Sequence, residues 1–204
     1  MKFDVKREHK GLYAPRNTSW VLVDVPELTY LAVDGRGDPN TSPDYAAAVE
    51  ALYSVAYTLK FATRRDTGRD FVVGPLEGLW WHADPTVFTA RDKASWNWTM
   101  LLHRPDWITG EQLDDARTSA MAKKRNPAIA EVRSLSLREG RCAQVLHVGS
   151  YDDEGPVLAT LHDEFLPANG LREAGDHHEI YLGDPRRTEP ARLRTVLRQP
   201  VSAQ

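Results

Sequence analysis

Apolar residues along this chain keep two different periods, and the switches between them mark out its elements. The run LTYLAV, residues 28–33, ends in the turn-forming stretch DGRGDPN and reads as a strand. Ser42–Pro43 then opens a helix, with serine as N-cap and proline at the first helical position. Tyr45, Val49, Leu52, Ala56 and Leu59 follow at spacings of four and three, so they share one helical face, which runs to about Arg64. Two strands come next, from about Leu76 to His82 and from Trp96 to His103; the second puts Trp96, Trp98, Met100 and Leu102 on one face. Between Thr109 and Lys124 the pattern predicts a more exposed connecting helix. Thr109 and Gln112 read as its capping box, and Ile108 and Leu113 occupy the staple positions.

The second half runs through the same moves. EVRSLSL and CAQVLHV read as strands ending in the turn GSYDDEGP, with Asp152, Asp153 and Glu154 as caps for the helix that follows. Pro156 opens that helix, Val157, Leu158, Leu161 and Phe165 form its apolar face, and Asn169–Gly170–Leu171 ends it. Strands at about His177 to Leu182 and Arg192 to Gln199 close the chain. In the last, Leu193, Thr195 and Leu197 point one way, while Arg192, Arg194 and Arg198 read as a solvated face.

Each half is therefore strand, Gly- and Asp-rich turn, helix, and two more strands, a duplicated βαββ unit of α+β class. The expected plan is an N-terminal extension at 1–19 and one domain at 20–201. That domain divides into a first half at about 20–108, a linker helix at about 109–125 and a second half at about 131–201. Antiparallel sheets would join edge to edge, with helices on one side and a ligand cleft on the other.

Composition narrows the classes of function. With 204 residues, 41% hydrophobic and 27% charged, the chain can bury a full core. Its 26 basic and 29 acidic residues give a formal net charge of −3, without the basic surplus that nucleic-acid binding calls for. The single cysteine, Cys142, excludes an internal disulfide and a multi-cysteine zinc site, and its apolar strand context marks it as a buried, inert thiol. Adjacent His177 and His178 face opposite ways on a strand and make a poor metal pair. No apolar leader or long apolar run is present, so the expectation is a cytoplasmic protein without metal, cofactor or membrane contact, acting as a monomer or homodimer. Five of the six tryptophans fall between residues 80 and 107; either they form a tryptophan-rich core or they line a surface with rings.

Several segments carry a resemblance in order and spacing: Tyr57–Thr58–Leu59–Lys60–Phe61, Pro75–Leu76–Glu77–Gly78–Leu79–Trp80–Trp81, Trp96–Asn97–Trp98–Thr99, Gly149–Ser150–Tyr151 and His178–Glu179–Ile180–Tyr181. From about Trp20 to Val201 the chain resembles the GyrI-like small-molecule-binding family, in its long stand-alone members. The resemblance implies a duplicated (SHS2-type) fold whose cleft receives drugs and other lipophilic xenobiotics, cationic ones included. In regulators of this family an acidic residue on a late strand meets cationic ligands, and the matching position is Glu179. A subset of stand-alone members resembles hydrolases that open the strained cyclopropane of DNA-alkylating natural products inside an aromatic cage, a detoxification. Other members act on a protein partner, as a gyrase inhibitor does, and would need an exposed apolar patch outside the cleft. No helix-turn-helix is visible before Trp20, so direct DNA binding is not expected.

Strand alternation places the chemistry. His177, Glu179 and Tyr181 share one face of their strand; Ile180 and Leu182 are expected to pack against the helices, which sends Glu179 and Tyr181 to the opposite face and into the cleft. A carboxylate among rings is partly desolvated and attracts a cation or a proton donor; in ring opening Glu179 would orient or deprotonate water. Trp80, Trp98 and Tyr181 are expected in the cage, Trp81 in the core, and Trp96, Tyr57 and Glu77 complete the ligand-binding set. Glu77 is the approximate first-half counterpart of Glu179.

Overall fold

Side-chain caps fix where the helices begin. The computed structural model describes residues 2–84, 87, 90 and 92–204. Its first long helix follows a strand β1 (Lys2–Phe3), two single turns α1 (Val5–Glu8) and α2 (Lys10–Tyr13), and strand β2 (Val21–Arg36). That helix, α3 (Pro43–Thr67), starts where the Ser42 hydroxyl accepts from the Tyr45 amide. The linker helix α4 (Gly110–Lys123) carries both halves of the expected capping box: Thr109 Oγ1 accepts from the Gln112 amide at 3.2 Å, and Gln112 Oε1 accepts from the Thr109 amide at 3.0 Å. Ile108 and Leu113 are both buried beside it. The second-half helix α5 (Glu154–Thr160) begins two residues before Pro156 and continues through a widened turn at 161–165 into α6 (Leu166–Ala168).

The remaining strands are β3 (Asp70–Phe71), β4 (Leu76–Trp81), β5 (Asn97–His103), β6 (Arg133–Val148), β7 (Leu171–Glu173), β8 (His177–Tyr181) and β9 (Arg194–Ala203). They pair antiparallel in the order β6-β2-β5-β4-β8-β9-β7, and β6 also pairs with β9. Six strands therefore close into a ring, which removes sheet edges and gives the sheet a true interior. Among the described residues, β1 and β3 alone stand apart, as a short parallel pair. The two predicted strands EVRSLSL and CAQVLHV are one continuous strand, β6. Gly140 sits in it at φ 67°, a conformation that favours glycine, and there the alternation restarts. Leu135, Leu137 and Glu139 before it and Cys142, Gln144 and Leu146 after it all face the interior, so the sequence pattern reads as two strands.

Outer and inner faces bury different things. Outside, α3 and α4 cover Leu31, Val33, Met100 and Leu102, while α5 and α6 cover Ala143, Val145 and Leu197. Inside, Tyr30, Ala32, Leu79, Leu101, Ile180 and Val196 meet Val5, Leu12 and Tyr13 from the N-terminal turns. Ile180 thus packs in the ring's interior with residues of the N-terminal extension, not against the long helices as alternation alone suggested. Cys142 is buried there too, its thiol pushed up to about 12 by burial.

The interior also holds charge. The His178 ring bonds Glu77 Oε2 at 3.0 Å and Glu139 Oε1 at 2.9 Å. Arg198 Nη1 donates to Glu139 Oε2 at 2.8 Å, and its other nitrogens reach Gln144 Oε1 and the Leu12 carbonyl. Tyr13 donates to Glu77 Oε2 at 3.2 Å, and Gln144 donates to the Gly11 carbonyl. Burial alone would depress the His178 imidazole, but Glu139 and Glu77 outweigh it and hold it at about 9. Burial opposes ionisation of Glu139 as well, yet His178 and Arg198 draw it down to about 2. Arg198, expected on a solvated face, is fully buried: its parity on β9 is as read, but ring closure turns that face inward.

Candidate functional site

Register builds a second polar cluster on the outer face of the same strand. Three cross-strand rows lie side by side there: His177–Trp80–Trp98–Gly35, Glu179–Gly78–Met100–Val33 and Tyr181–Leu76–Leu102–Leu31. Gly35 is dictated by the first row, since a Cβ there would lie 2.0 Å from the Trp98 ring. Thr195 on β9 stands opposite Tyr181 on its other side.

Within these rows the rings interlock around one carboxylate. Trp80 Nε1 donates to the Tyr181 hydroxyl at 3.1 Å, and that hydroxyl donates to Glu179 Oε2 at 2.7 Å. Tyr45, at the start of α3, stacks on Trp80 with centroids 6.5 Å apart, and Trp96 meets Trp80 edge-on at 5.6 Å. Tyr151 meets Tyr181 edge-on at 5.5 Å. Burial first, and then the Glu179 charge, hold the Tyr45 and Tyr181 phenols well above their usual range. Glu179 itself keeps 15% of its side chain exposed, and His177 Nε2 lies 3.6 Å from its Oε1, too far for a good hydrogen bond.

A second carboxyl joins the cluster, and sequence reasoning missed it. Glu154, read as a helix cap, is only 6% exposed and lies beside Thr195. Burial and then the neighbouring Glu179 charge raise it to about 10. Among the described residues five buried side-chain polar atoms lack a hydrogen-bond partner, and three of them, Glu154 Oε1, Thr195 Oγ1 and His177 Nε2, belong to this cluster. The one available signal was the mixed acidic run DDE before a helix, where a cap and a buried acid look alike.

The predicted site residues divide. Glu179, Tyr181, Trp80 and Trp96 come together as expected. Trp98 lies beneath them, 1% exposed, with its indole donating to the Gly37 carbonyl, so it is floor rather than wall. Trp81, expected in the core, is 41% exposed on the opposite parity of β4. Glu77 does not reach the cluster: it sits one position off Gly78, the residue that pairs with Glu179, and is enclosed inside the ring. Tyr57 does not either. It is exposed on α3, stacked between Tyr53 and Phe61, and lines a groove of about 270 Å³ with Phe61, Arg65 and Lys123. The face that carries Glu179 also carries α3 and α5, whose first turns bring Tyr45 and Glu154 toward it. Among the described residues no group of three His, Cys, Asp or Glu side chains could hold a metal, and no helix is long and apolar enough to cross a membrane.

The chain is similar to several solved structures. One is an uncharacterized conserved protein from Listeria innocua, 41% identical, with a TM-score of 0.90, covering 98% of this chain and 100% of that one. A second, described as a hydrolase from Listeria innocua, is 40% identical with a TM-score of 0.86 and covers 98% and 100%. A third, also described as a Listeria innocua hydrolase, is 39% identical with a TM-score of 0.87 and covers 99% and 100%. No curated protein matches the chain. Residues 20–202 match the GyrI-like small molecule binding domain, which is nearly the whole chain apart from the N-terminal turns that fill the ring. With that span matched, the duplicated antiparallel fold in place and the late-strand glutamate set among rings, the chain belongs to the GyrI-like small-molecule-binding family.

Proposed function

We propose that the protein binds bulky lipophilic small molecules, cationic xenobiotics among them, against the Glu179 carboxylate. The observation that carries this reading is the Trp80–Tyr181–Glu179 chain of hydrogen bonds at 3.1 and 2.7 Å, set among the faces and edges of Tyr45, Trp96 and Tyr151. A carboxylate so little exposed gives a cation a stronger Coulomb attraction than water would allow, and the ring faces add cation–π attraction. Tyr45, Trp96, Tyr151 and Tyr181 are all half-buried, so each leaves part of its ring for a ligand to meet.

Hydrolysis is the second reading, favoured by the similarity to two structures described as hydrolases at 39–40% identity. Here Glu179 positions or deprotonates water against a strained electrophile, and the rings hold the substrate in line.

One experiment addresses both. The purified protein and its Glu179→Gln variant are incubated with a cyclopropane-bearing DNA alkylator and the mixtures resolved by mass. A product gaining one water with the wild type alone establishes hydrolysis through Glu179. Unchanged compound retained by the wild type and released by the variant establishes binding without turnover. If the two proteins behave alike, Glu179 is not the site.

A further inference from the structure

Helix α3 turns Leu52, Val55, Ala56 and Leu59 to the core, and on its far side it keeps a row of rings in solvent. Tyr57 is 47% exposed and Phe61 58%, and both stack in line with the half-buried Tyr53. At 3.6 residues per turn, Glu50, Tyr57, Phe61 and Arg64 fall within about 60° of arc, so charge continues the ring row at both ends. Side chains spaced by four form the ridge with which helices most often pack on one another.

The row is symmetric about Tyr57. Tyr53 and Phe61 lie four residues to either side of it, and Glu50 and Arg64 lie seven, about 10 Å along the axis. The charges at the two ends are opposite. Turned end over end about a two-fold axis through Tyr57, the row therefore matches itself: ring meets ring, and acid meets base twice. A patch for an unrelated protein has no need of that symmetry, whereas the isologous contact of a two-fold dimer requires it. The end groups are placed to serve it. Glu50 is held by Lys124 at 3.1 Å and Asn126 at 3.2 Å, yet its side chain is 51% exposed and keeps lone pairs for a further donor. Arg65 is bound to Asp66 at 2.6 and 2.8 Å, but Arg64 is exposed and forms no ion pair among the described residues.

We propose that this face of α3 is a contact between two copies of the chain. The two α3 helices run antiparallel, with Tyr57 against its symmetry mate, Tyr53 against Phe61 of the partner subunit, and Glu50 against Arg64 of the partner subunit. Among the described residues Tyr57 stacks with Tyr53 and Phe61 and with no ring of the Glu179 cluster, so the contact stands whether or not that cluster takes a ligand. One helix face buries less than the roughly 800 Å² per partner of a standard interface, so the dimer is weak, with a dissociation constant on the order of 100 μM.

Sedimentation equilibrium from about 5 μM to about 1 mM brackets that constant, and the wild type should pass from monomer to dimer across the range. Glu50→Arg sets base against base at both ends and Arg64→Glu sets acid against acid, so each variant alone should dimerise at least fivefold more weakly. Mixed in equal amounts, the two variants recover an acid–base pair at each end, and the mixture should associate as the wild type does. That rescue is the discriminating result, because damage to the fold of either variant is not repaired by mixing. Tyr57→Lys puts two ammonium groups on the axis and should keep the chain monomeric throughout. Thermal melts at about 5 μM, where the chain is a monomer, check that each variant is folded. A wild type that stays monomeric at about 1 mM overturns the contact. So does a dimer that persists in Tyr57→Lys, that ignores the charge reversals, or that mixing fails to restore, since each of these puts the second copy on another face or in another register.

Discussion

Strand β8 carries two acid clusters on its two faces, and they are built on opposite rules. Inward, His178 joins Glu77 and Glu139, with Arg198 closing the set, so two acids face two bases and nearly every polar atom is used; Glu77 Oε1 alone is left over. Outward, the Glu179 charge bears on the buried Glu154 and, among the described residues, no buried cation accompanies them; His177 stands 3.6 Å from Glu179, and three polar atoms lack partners. A balanced network serves the fold, because each charge removed from water is repaid locally. An unbalanced one at comparable depth costs stability and makes sense only if something else completes it.

Unbalancing the inner cluster should have the largest effect. Arg198→Met should cost about 3–5 kcal/mol, since it strands Glu139 and leaves Gln144 Oε1 and the Leu12 carbonyl without their donor. Urea unfolding at pH 7 reads this directly, and a loss below about 1 kcal/mol would mean that the inner cluster does not hold the fold. The pH dependence follows from the same groups. Glu139 is held down at about 2, so its contribution is present above its unfolded pKa of about 4.5 and is lost as the pH falls through about 2. His178 is held up at about 9, so its contribution is complete below its unfolded pKa of about 6.5 and is lost as the pH rises through about 9. Stability should therefore fall on both sides of a window between about pH 4.5 and 6.5, and His178→Gln should flatten the alkaline side.

The outer cluster should respond in the contrary sense. Glu179→Gln should lower the affinity for a lipophilic cation about 10–100-fold, or about 1.4–2.8 kcal/mol, and change unfolding stability by less than about 1 kcal/mol. A variant that unfolds before it loses binding would place Glu179 with the inner set.

Much of this was legible in the chain. Caps and periodicity gave both long helices, because a serine or threonine followed by apolar residues at spacings of three and four has few other meanings. Parity along β8 separated Glu179 and Tyr181 from Ile180 before any register was known. Closure of the ring was not legible, since it depends on β6 meeting β9 across the fold, and Arg198 was misread for that reason: a charged residue on a strand looks solvated until its face is enclosed. Glu77 was misplaced by register, because Gly78 and not Glu77 pairs with Glu179, and a shift of one residue turns a side chain to the other face. Glu154 escaped because the first turn of a helix is where exposed acids ordinarily sit.

Glu154 should show its cost in the apo protein. Its carboxyl is held at about 10, so the folded form is penalised relative to the unfolded chain once the pH passes about 4.5, and the penalty grows until about 10. Glu154→Gln should remove it and stabilise the protein by about 1–2 kcal/mol at pH 7, with little change at pH 4. Thermal melts at the two pH values make the check. Equal effects at both would tie the gain to packing rather than to the proton.

The smallest effect tests where the outer site stops. Tyr57, Tyr53 and Phe61 form a stacked ladder along α3, with centroids 6.4 and 6.3 Å apart, but Tyr57 is 47% exposed and makes no ring contact with Trp80, Trp96 or Tyr181. Tyr57→Ala loses two i,i+4 ring contacts worth about 0.2–0.5 kcal/mol each and gains about the same from alanine's helix propensity. Stability should stay within about 0.5 kcal/mol and cation affinity within about twofold. A larger loss of affinity, with stability unchanged, would carry the site outward along α3, and the face that holds Glu179 would then need an extended ligand rather than a compact one.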